Sequence, residues 1–221
     1  MSPQVSIIMN CHNGEKFLYS SLDSIMKQSY KNWELIFWDN NSSDNSKNLC
    51  KKFKDKRIKY FYSKNYYKLY KSRNLALQKA KGKFITFLDT DDLWYKNKIK
   101  DQIKFLLKNN FKICYSNYLM FNESKRKKKF NEKYEIIGDF DFFINLSFNH
   151  KIGFLNKTLA IYRVHNSNLS LKGIDLHIKE LKNWIKKNHL FLARKKLNVT
   201  KQKNYLIKLG FKKLINYYKY L

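Results

Sequence analysis

The chain has 221 residues, of which 43% are hydrophobic and 17% aromatic, a composition that supports a packed core and argues against disorder. Its formal net charge is +29 at pH 7, from 46 Lys+Arg against 17 Asp+Glu. The charge predicts anionic partners, which include anionic substrates, a membrane surface or nucleic acid. Because the lysines are spread along the whole chain, compositional drift with a general attraction to anions is favoured over a dedicated groove.

The cysteines and the apolar runs indicate the cellular compartment in which the protein is expected. Cys11, Cys50 and Cys114 are odd in number and form no CxxC pair, which argues against a disulfide framework and a zinc site and fits a reducing compartment. No apolar run approaches the ~20 residues that span a bilayer, and the first residues lack the basic start of a signal peptide. We therefore expect a cytoplasmic or membrane-peripheral protein.

The first half of the chain alternates short apolar runs with helical patterns. The predicted strands are Val5–Met9, Trp33–Trp38, Ile58–Tyr62, Phe84–Leu88 and a fifth that begins with Ile113–Tyr115. The first predicted helix has Leu18, Leu22 and Ile25 at helical spacing. The next three cover Asn45–Phe53, Ser72–Ala80 and Tyr95–Asn109. Short connections between these elements predict an α/β fold with a mostly parallel, doubly wound sheet.

The second half begins with a break in this pattern at residues 122–134, which read as an exposed, lysine-rich loop. A helix over Phe140–Phe148 and a strand over Leu159–Val164 follow. From Ile174 onward the sequence is helical and basic, with two apolar stripes. The stripes are Ile174, Ile178, Leu181 and Ile185, and then Ile207, Phe211, Leu214, Tyr218 and Leu221.

An acidic cluster follows the fourth predicted strand, in the segment FITFLDTDD. The strand places Asp89, Asp91 and Asp92 at its carboxyl end, where open α/β sheets bind ligands. Three carboxylates in four residues repel one another, so we expect a cation among them. A hard divalent ion that bridges to a diphosphate is one explanation, and an acidic loop in which Asp92 caps the next helix is the other.

Several blocks occur in a fixed order over about residues 4–165. They are VSIIMNCHNGEKFL, SIMKQSY, ELIFWDNNSSDNS, KSRNLALQKAKGKFITFLDTDDLW, IIGDFDFF and IYRVH. Together they resemble the family-2 glycosyltransferases with the GT-A fold. The resemblance implies a GT-A domain at 1–170, with a nucleotide-sugar-binding half at 1–121, the basic loop at 122–134 and a base-bearing half at 135–170. It does not cover residues 171–221, whose own pattern predicts a basic helical extension.

The resemblance implies transfer of a sugar from a nucleoside-diphosphate sugar to an acceptor hydroxyl, with inversion of the anomeric carbon. It also implies a divalent metal, Mn²⁺ or Mg²⁺, that neutralises the leaving diphosphate. A UDP-sugar is the favoured donor, and a glycan or lipid-linked acceptor in surface polysaccharide biosynthesis is the expected partner. The expected location is the cytoplasm or the inner face of the plasma membrane.

Asp89 and Asp91 match the family's DxD motif, which binds the metal and the donor, and Asp92 is an adjacent metal candidate. His165 matches a histidine that completes the metal shell in some relatives; the alternative is a surface histidine that closes a strand. Asp39 matches the acid that receives the donor's base, and its alternative is an acid that caps Asn41 or Ser42.

Cys11, His12 and Asn13 follow the first strand, where relatives line the nucleotide pocket. For Cys11, plain packing is an equal alternative to contact with the nucleotide. Arg73 matches an arginine of the family that approaches the diphosphate, and a solvated helix arginine is the competing interpretation.

Asp139 aligns with the acid of the family's Glu-Asp pair, which implies that it is the general base. Here the pair reads Gly138-Asp139, so the glutamate is missing, and Asp141 is a weaker candidate for acceptor binding. Without the resemblance, an aspartate before a helix is most simply an N-cap.

The chain departs from its relatives between the fifth strand and the base-bearing helix. Relatives carry several tens of residues there that help to form the acceptor pocket, whereas this chain has only the basic loop. The donor half is therefore expected to be intact and the acceptor half impaired, and a degenerate nucleotide-sugar binder is the first alternative function. A nucleic-acid-binding protein is the second, although no such motif appears.

The basic helices after residue 171 have two interpretations of their own. Their apolar stripes beside lysines fit an anionic leaflet, where lipid-linked acceptors are found. Packing on the catalytic domain is the somewhat favoured alternative.

Overall fold

The computed structural model describes residues 3–116, 119–122, 130–163, 173–194 and 198–218. By internal contacts the chain forms two compact units. The first unit is made of residues 1–132 and 142–163, and the second of residues 133–141 and 164–221. The boundary at residue 170 that the sequence suggested stays a prediction.

The strands and helices have the following bounds. The strands are β1 Val5–Cys11, β2 Trp33–Asp39, β3 Ile58–Tyr62, β4 Phe84–Phe87, β5 Leu93–Trp94, β6 Ile113–Tyr115, β7 Leu119–Asn122, β8 Ile152–Phe154 and β9 Ala160–Ile161. The helices are α1 Glu15–Met26, α2 Ser46–Lys52, α3 Leu69–Leu77, α4 Lys98–Asn109, α5 Gly138–Ser147, α6 Ile174–Arg194 and α7 Thr200–Tyr218.

The main sheet of the first unit has the strand order β3-β2-β1-β4-β7-β6-β8. β1 pairs in parallel with β2 and β4, β2 with β3, and β6 with β8, whereas β7 runs antiparallel to β4 and β6. The prediction of an α/β fold with a mostly parallel sheet is confirmed. β7 and β8 were missed because runs of four and three residues carry too little periodicity to recognise.

The core of the first unit explains why β2 is largely apolar on both faces. All seven residues of β2 are buried, as expected for a parallel strand between two layers of helices. Leu18, Leu22 and Ile25 of α1 are buried at the predicted helical spacing, and Ile99 and Ile103 of α4 join the same core.

The segment after the acidic cluster differs from the prediction. α4 begins at Lys98 rather than Tyr95, because Leu93–Trp94 pair as β5 with β9 and the Tyr95 N–H donates to the Leu159 carbonyl at 2.9 Å. Of the predicted strand Leu159–Val164, the structure describes Ala160–Ile161 as β9; Val164 lies outside the described residues.

The second unit contains the long helices α6 and α7. The first predicted stripe is buried at Ile174 and Leu181, together with Trp184 and Leu192. In α7, Ile207 of the second predicted stripe is 58% exposed, whereas Leu209, which was not assigned to the stripe, is buried. Within the described parts of the chain, no helix has both the length and the apolarity needed to cross a membrane.

Candidate active site

The carboxyl ends of β1, β2 and β4 meet at one edge of the sheet. Cys11, the last residue of β1, lies in register with Asp39, the last residue of β2, and Asp89 follows shortly after β4. The chain passes from β1 to β2 and β3 on one side of β1 and then crosses to β4 on its other side, so the strand order reverses at β1. Ligands of open α/β sheets bind at such a switch point, so the fold brings the predicted donor-binding residues to one place.

The loops after β1 and β2 are joined by hydrogen bonds between their backbone and side chains. The Asn13 carboxamide oxygen accepts from the Ser43 N–H at 2.8 Å, and the Ser46 hydroxyl accepts from the Gly14 N–H at 3.0 Å. Asn13 and Asn41 adopt positive φ angles of 52° and 64°, a conformation that asparagine tolerates better than most residues. The two loops therefore hold each other in one arrangement.

Asp39 is 1% exposed and has a partner on each carboxylate oxygen. Oδ1 accepts from the Ser42 N–H at 2.9 Å, which is the capping contact of the alternative interpretation, and Oδ2 accepts from the Tyr60 hydroxyl at 2.6 Å. Burial and the hydrogen bond to Asp39 raise the pKa of Tyr60, so the phenol remains a donor. A carboxylate has about four acceptor directions, which leaves two beyond the contacts described here.

His12 lies exposed after β1, against the ring of Tyr66 with the centroids 4.6 Å apart. Its Nδ1 is 3.0 Å from the Asn40 carbonyl oxygen. Because a carbonyl oxygen only accepts, Nδ1 carries a proton in this contact. Asn40 also holds the loop beyond Tyr66, since its side chain exchanges two hydrogen bonds with the Tyr67 backbone at 2.7 and 3.1 Å.

Cys11 makes packing contacts in the structure. It is 1% exposed, and a Cβ added at Gly14 would stand only 2.9 Å from its sulfur. Burial raises the pKa of the Cys11 thiol, so the group is neutral and unsuited to nucleophilic work. These observations support the packing alternative for this residue.

Arg73 is buried beneath the acidic cluster. Its guanidinium is 2.7 Å from Asp89 Oδ1, and the two side chains are 5% and 49% exposed. The rings of Tyr70, Phe87 and Phe130 lie 5.6, 5.6 and 5.8 Å from the guanidinium carbon. The competing interpretation of a solvated helix arginine is therefore wrong, and Arg73 is a fixed cation behind a carboxylate that faces solvent.

Asp92 has a different environment from Asp89. It is 1% exposed, and its Oδ1 accepts from the Arg163 N–H at 3.0 Å. The N-cap of α4 is Asn97, so the idea that Asp92 caps that helix is wrong. Within the described ranges, no group of three His, Cys, Asp or Glu is arranged to hold a metal; His165 lies outside those ranges, and metal binding by Asp92 stays a prediction.

Asp89 and Asp91 nevertheless suit a divalent metal. Both are partly exposed at the carboxyl edge of the sheet and offer hard oxygen donors, as Mg²⁺ and Mn²⁺ prefer. One or two carboxylates with substrate phosphates are a usual protein contribution to a Mg²⁺ site. The residues present therefore fit a metal that is shared with a diphosphate.

Asp139 lies in the first turn of α5, in the second unit. The buried carboxylate of Glu180 accepts three backbone N–H groups just before it, from Glu135, Ile136 and Ile137 at 2.7, 3.0 and 3.2 Å. The Trp184 indole N–H donates to Asp141 Oδ1 at 2.8 Å, so the carboxylate of Asp141 is engaged within the protein. α6 thus fixes the segment that carries Asp139.

Sequence reasoning missed the residues that support these functional side chains. They are Asn40, Tyr60, Tyr66, Glu180 and Trp184. For Glu180 the sequence pattern offered no signal, because neighbouring residues of a helix do not share a face and Glu180 is outside the spacing of the apolar stripe that contains Leu181. Its burial is a finding of the structure, and a buried acid usually has a specific partner.

Comparison with known proteins identifies the family. The family model "Glycosyl transferase family 2" matches residues 6–167, so this chain belongs to glycosyl transferase family 2. The "UDP-Glc:alpha-D-GlcNAc-diphosphoundecaprenol beta-1,3-glucosyltransferase WfgD" of Escherichia coli is 43% identical over 126 residues, which cover 57% of this chain and 50% of that protein. The chain thus spans about half the length of this curated relative.

Solved structures of low sequence identity share the fold. Staphylococcus aureus TarS 1–349 in complex with UDP-GlcNAc has a TM-score of 0.71 at 18% identity, over 82% of this chain and 66% of that one. The mannosyltransferase PcManGT from Pyrobaculum calidifontis in complex with GDP-Man and Mn²⁺ has a TM-score of 0.69 at 14% identity, over 84% and 65%. These similarities support the GT-A type of α/β fold.

Proposed function

We propose that this protein is an inverting glycosyltransferase that moves a sugar from a nucleoside-diphosphate sugar to an acceptor hydroxyl. The observation that carries the proposal is the buried Arg73 behind the half-exposed Asp89, at the switch point of the sheet. This pairing places a fixed positive charge and a solvent-facing carboxylate where a diphosphate and its counter-ion are expected to bind. Membership of glycosyl transferase family 2 supports the reaction class.

On the donor side, Asp89 and Asp91 hold a Mg²⁺ or Mn²⁺ ion, which when bound offsets the negative charge of the leaving diphosphate. Arg73 fixes the position of Asp89 and adds positive charge behind it. His12 and Tyr66 offer an exposed aromatic surface to the nucleobase, and Asp39 retains acceptor directions for a base N–H. UDP-GlcNAc in TarS and GDP-Man with Mn²⁺ in PcManGT support a nucleotide-sugar donor, and the name of WfgD favours UDP.

On the acceptor side, Asp139 is the general base that removes the proton of the acceptor hydroxyl. Its support is the alignment with the family's base together with the anchoring of the preceding backbone by Glu180. A base must hold its position against the acceptor to be effective, and this anchoring supplies that rigidity.

The setting that we propose is surface polysaccharide assembly at the inner face of the plasma membrane. Relatives include the WfgD enzyme, which is named for a diphosphoundecaprenol-linked acceptor, and a putative teichuronic acid biosynthesis glycosyltransferase of Bacillus subtilis, 30% identical over 131 residues. Leu190 and Ile207 are 63% and 58% exposed on the lysine-rich helices α6 and α7. Such surfaces suit peripheral contact with an anionic leaflet.

A binding screen tests the proposal. Titration calorimetry with UDP-, GDP- and dTDP-sugars, with and without Mn²⁺, should reveal one donor class whose binding requires the metal and is lost in Asp89→Asn. Asp101→Asn is the matched control, because Asp101 forms a surface salt bridge with Lys157 at 2.9 Å, and it should bind donor normally. Failure of every donor to bind the wild-type protein would contradict the proposal, and binding without turnover on any acceptor would favour the degenerate binder.

A further inference from the structure

The second unit contains a cavity of about 410 Å³. Its lining includes Asp139, Phe140, His177, Lys201, Gln202 and Tyr205. The volume falls within the ~300–1,000 Å³ of typical small-molecule sites. Four of these six residues come from α6 and α7, beyond the stretch that matches the family model, so this cavity is built largely from helices outside the family match.

Two buried polar atoms of this cavity, Nδ1 of His177 and Oε1 of Gln202, have no hydrogen-bond partner among the residues that the structure describes. Burying a polar atom without a partner is costly, so these atoms require water or a ligand group. Burial also lowers the pKa of His177, which keeps its ring neutral near pH 7. A neutral imidazole nitrogen and an amide oxygen are suitable partners for hydroxyl groups.

The rest of the lining combines two aromatic rings with aliphatic side chains, Asp139 and the cation of Lys201. The Tyr205 ring lies edge-on to His177, with the centroids 5.4 Å apart, and the Phe140 ring is held edge-on against Trp184 at 4.8 Å. Aromatic faces beside isolated hydrogen-bonding groups suit a ligand with both C–H faces and hydroxyls, which describes a sugar ring. Lys201 adds a positive charge suited to a phosphate on that sugar.

We propose that this cavity binds the sugar of the acceptor substrate, with Asp139 in its wall as the base toward the acceptor hydroxyl. This inference rests on the proposed function. Two helices outside the family match would then supply the acceptor surface that the shortened segment of this chain does not. On this proposal the acceptor half is not impaired, as the sequence suggested, but is formed in part by α6 and α7.

Direct binding of acceptor-like probes tests the proposal without using the donor reaction. The probes are N-acetylglucosaminyl diphosphate with a short alkyl chain, its neutral alkyl glycoside and the matching glucose compounds, measured by titration calorimetry and saturation-transfer NMR. The variants are His177→Leu and Gln202→Leu, which remove the polar atoms and keep an apolar side chain of similar size. Lys203→Leu, at an exposed position of the same helix, is the matched control.

We expect at least one probe to bind the wild type and both cavity variants to lose at least tenfold in affinity, while Lys203→Leu binds normally. Lys201→Met should weaken the diphosphate probe and leave the neutral glycoside unchanged. Unfolding midpoints and donor affinity are measured for each variant, since a folded variant with normal donor binding isolates the cavity. If no probe binds, or if the wild type and the cavity variants bind equally well, the cavity proposal is wrong. If the wild-type protein binds no donor, the proposed function is wrong instead.

Discussion

Arg73 Nη2 lies 2.7 Å from Asp89 Oδ1 at the boundary between the core and solvent. The side chain of Arg73 is 5% exposed and that of Asp89 is 49% exposed. Burial among the aromatic rings of Tyr70, Phe87 and Phe130 restricts movement of the guanidinium. The carboxylate is held on one oxygen and remains accessible to solvent. A ligand at the carboxyl edge of the sheet would therefore meet a preoriented acid with its countercharge already in place.

Replacing Arg73 by lysine should weaken donor binding by about tenfold or more, because an ammonium keeps the charge but loses the planar guanidinium that fits this site. The measurement is the Kd for the donor in the presence of Mn²⁺. Arg57→Lys is the matched control, since Arg57 also pairs with an aspartate, Asp55, at 2.6 Å, away from the carboxyl ends of β1 and β4. An unchanged Kd for Arg73→Lys would show that Arg73 serves only stability.

Replacing Asp39 by asparagine separates the two interpretations of this residue. The asparagine oxygen can still accept from the Ser42 N–H, and its amide N–H can donate to the Tyr60 hydroxyl in place of the present bond, so the free energy of unfolding should change by only about 1 kcal/mol. Donor affinity should nevertheless fall by about tenfold, because a carboxylate oxygen that accepts from the nucleobase is lost. Normal donor affinity together with normal stability would leave Asp39 as a cap alone.

Replacing Glu180 by glutamine should disturb the segment before Asp139. Glutamine has one oxygen acceptor, whereas the carboxylate accepts three backbone N–H groups on two oxygens. We expect faster hydrogen exchange of the amides of Glu135, Ile136 and Ile137 and a lower kcat, with the donor KM unchanged. Asp175→Asn, an exposed acid in the first turn of α6, should leave all three quantities unchanged; a normal kcat in Glu180→Gln would refute its positioning role.

The local sequence was sufficient to predict the elements that carry the donor site. Asp39 and Asp89 each end an apolar run, and the parallel pairing of such runs brings their ends to one edge. The supporting contacts were not predictable, because Glu180 reaches the 135–137 backbone across more than forty residues and Asn40 reaches Tyr67 across 27. Partners so distant in sequence follow from packing rather than from local pattern. β7 was missed for another reason, since a run of four residues carries too little periodicity to recognise.

Lys98 should make stability depend on pH, because it is fully buried and burial lowers the pKa of its amine from 10.5 to about 7. Below pH 7 the amine is protonated in both the folded and the unfolded state, so burial of the charge lowers the free energy of unfolding by its full amount. Between pH 7 and 10.5 the unfolded state holds more protons, so the stability of the wild type should rise with pH. The slope from this group should approach ~1.4 kcal/mol per pH unit.

Lys98→Met removes this titration and keeps the volume. Urea unfolding at pH 6.5, 8 and 9.5 should show the variant gaining most over the wild type at pH 6.5, with the difference shrinking as pH rises. The variant loses the hydrogen bond from Lys98 Nζ to Gln102 at 2.5 Å. This loss lowers the stability of the variant by a similar amount at each pH and so does not produce the expected trend. A stability difference that does not change with pH would contradict the buried-amine account.

The exposed apolar residues of the second unit predict membrane contact. The double variant Leu190→Glu and Ile207→Glu should float less with vesicles that contain phosphatidylglycerol. The substitutions remove two exposed apolar side chains and add negative charge that the anionic lipid repels. Leu107→Glu is the matched control, since Leu107 is 57% exposed on α4 in the first unit. If the wild type does not float at low salt, the membrane proposal is wrong.

The central claim is that the edge formed by β1, β2 and β4 binds and activates a nucleotide sugar with a metal. The most direct measurement is the Mn²⁺-dependent release of nucleoside diphosphate from the donor identified by binding, in wild type, Asp91→Asn and Asp101→Asn. We predict metal-dependent release in the wild type and in Asp101→Asn, and a loss of at least a hundredfold in Asp91→Asn. Equal release by the wild type and Asp91→Asn would contradict the account.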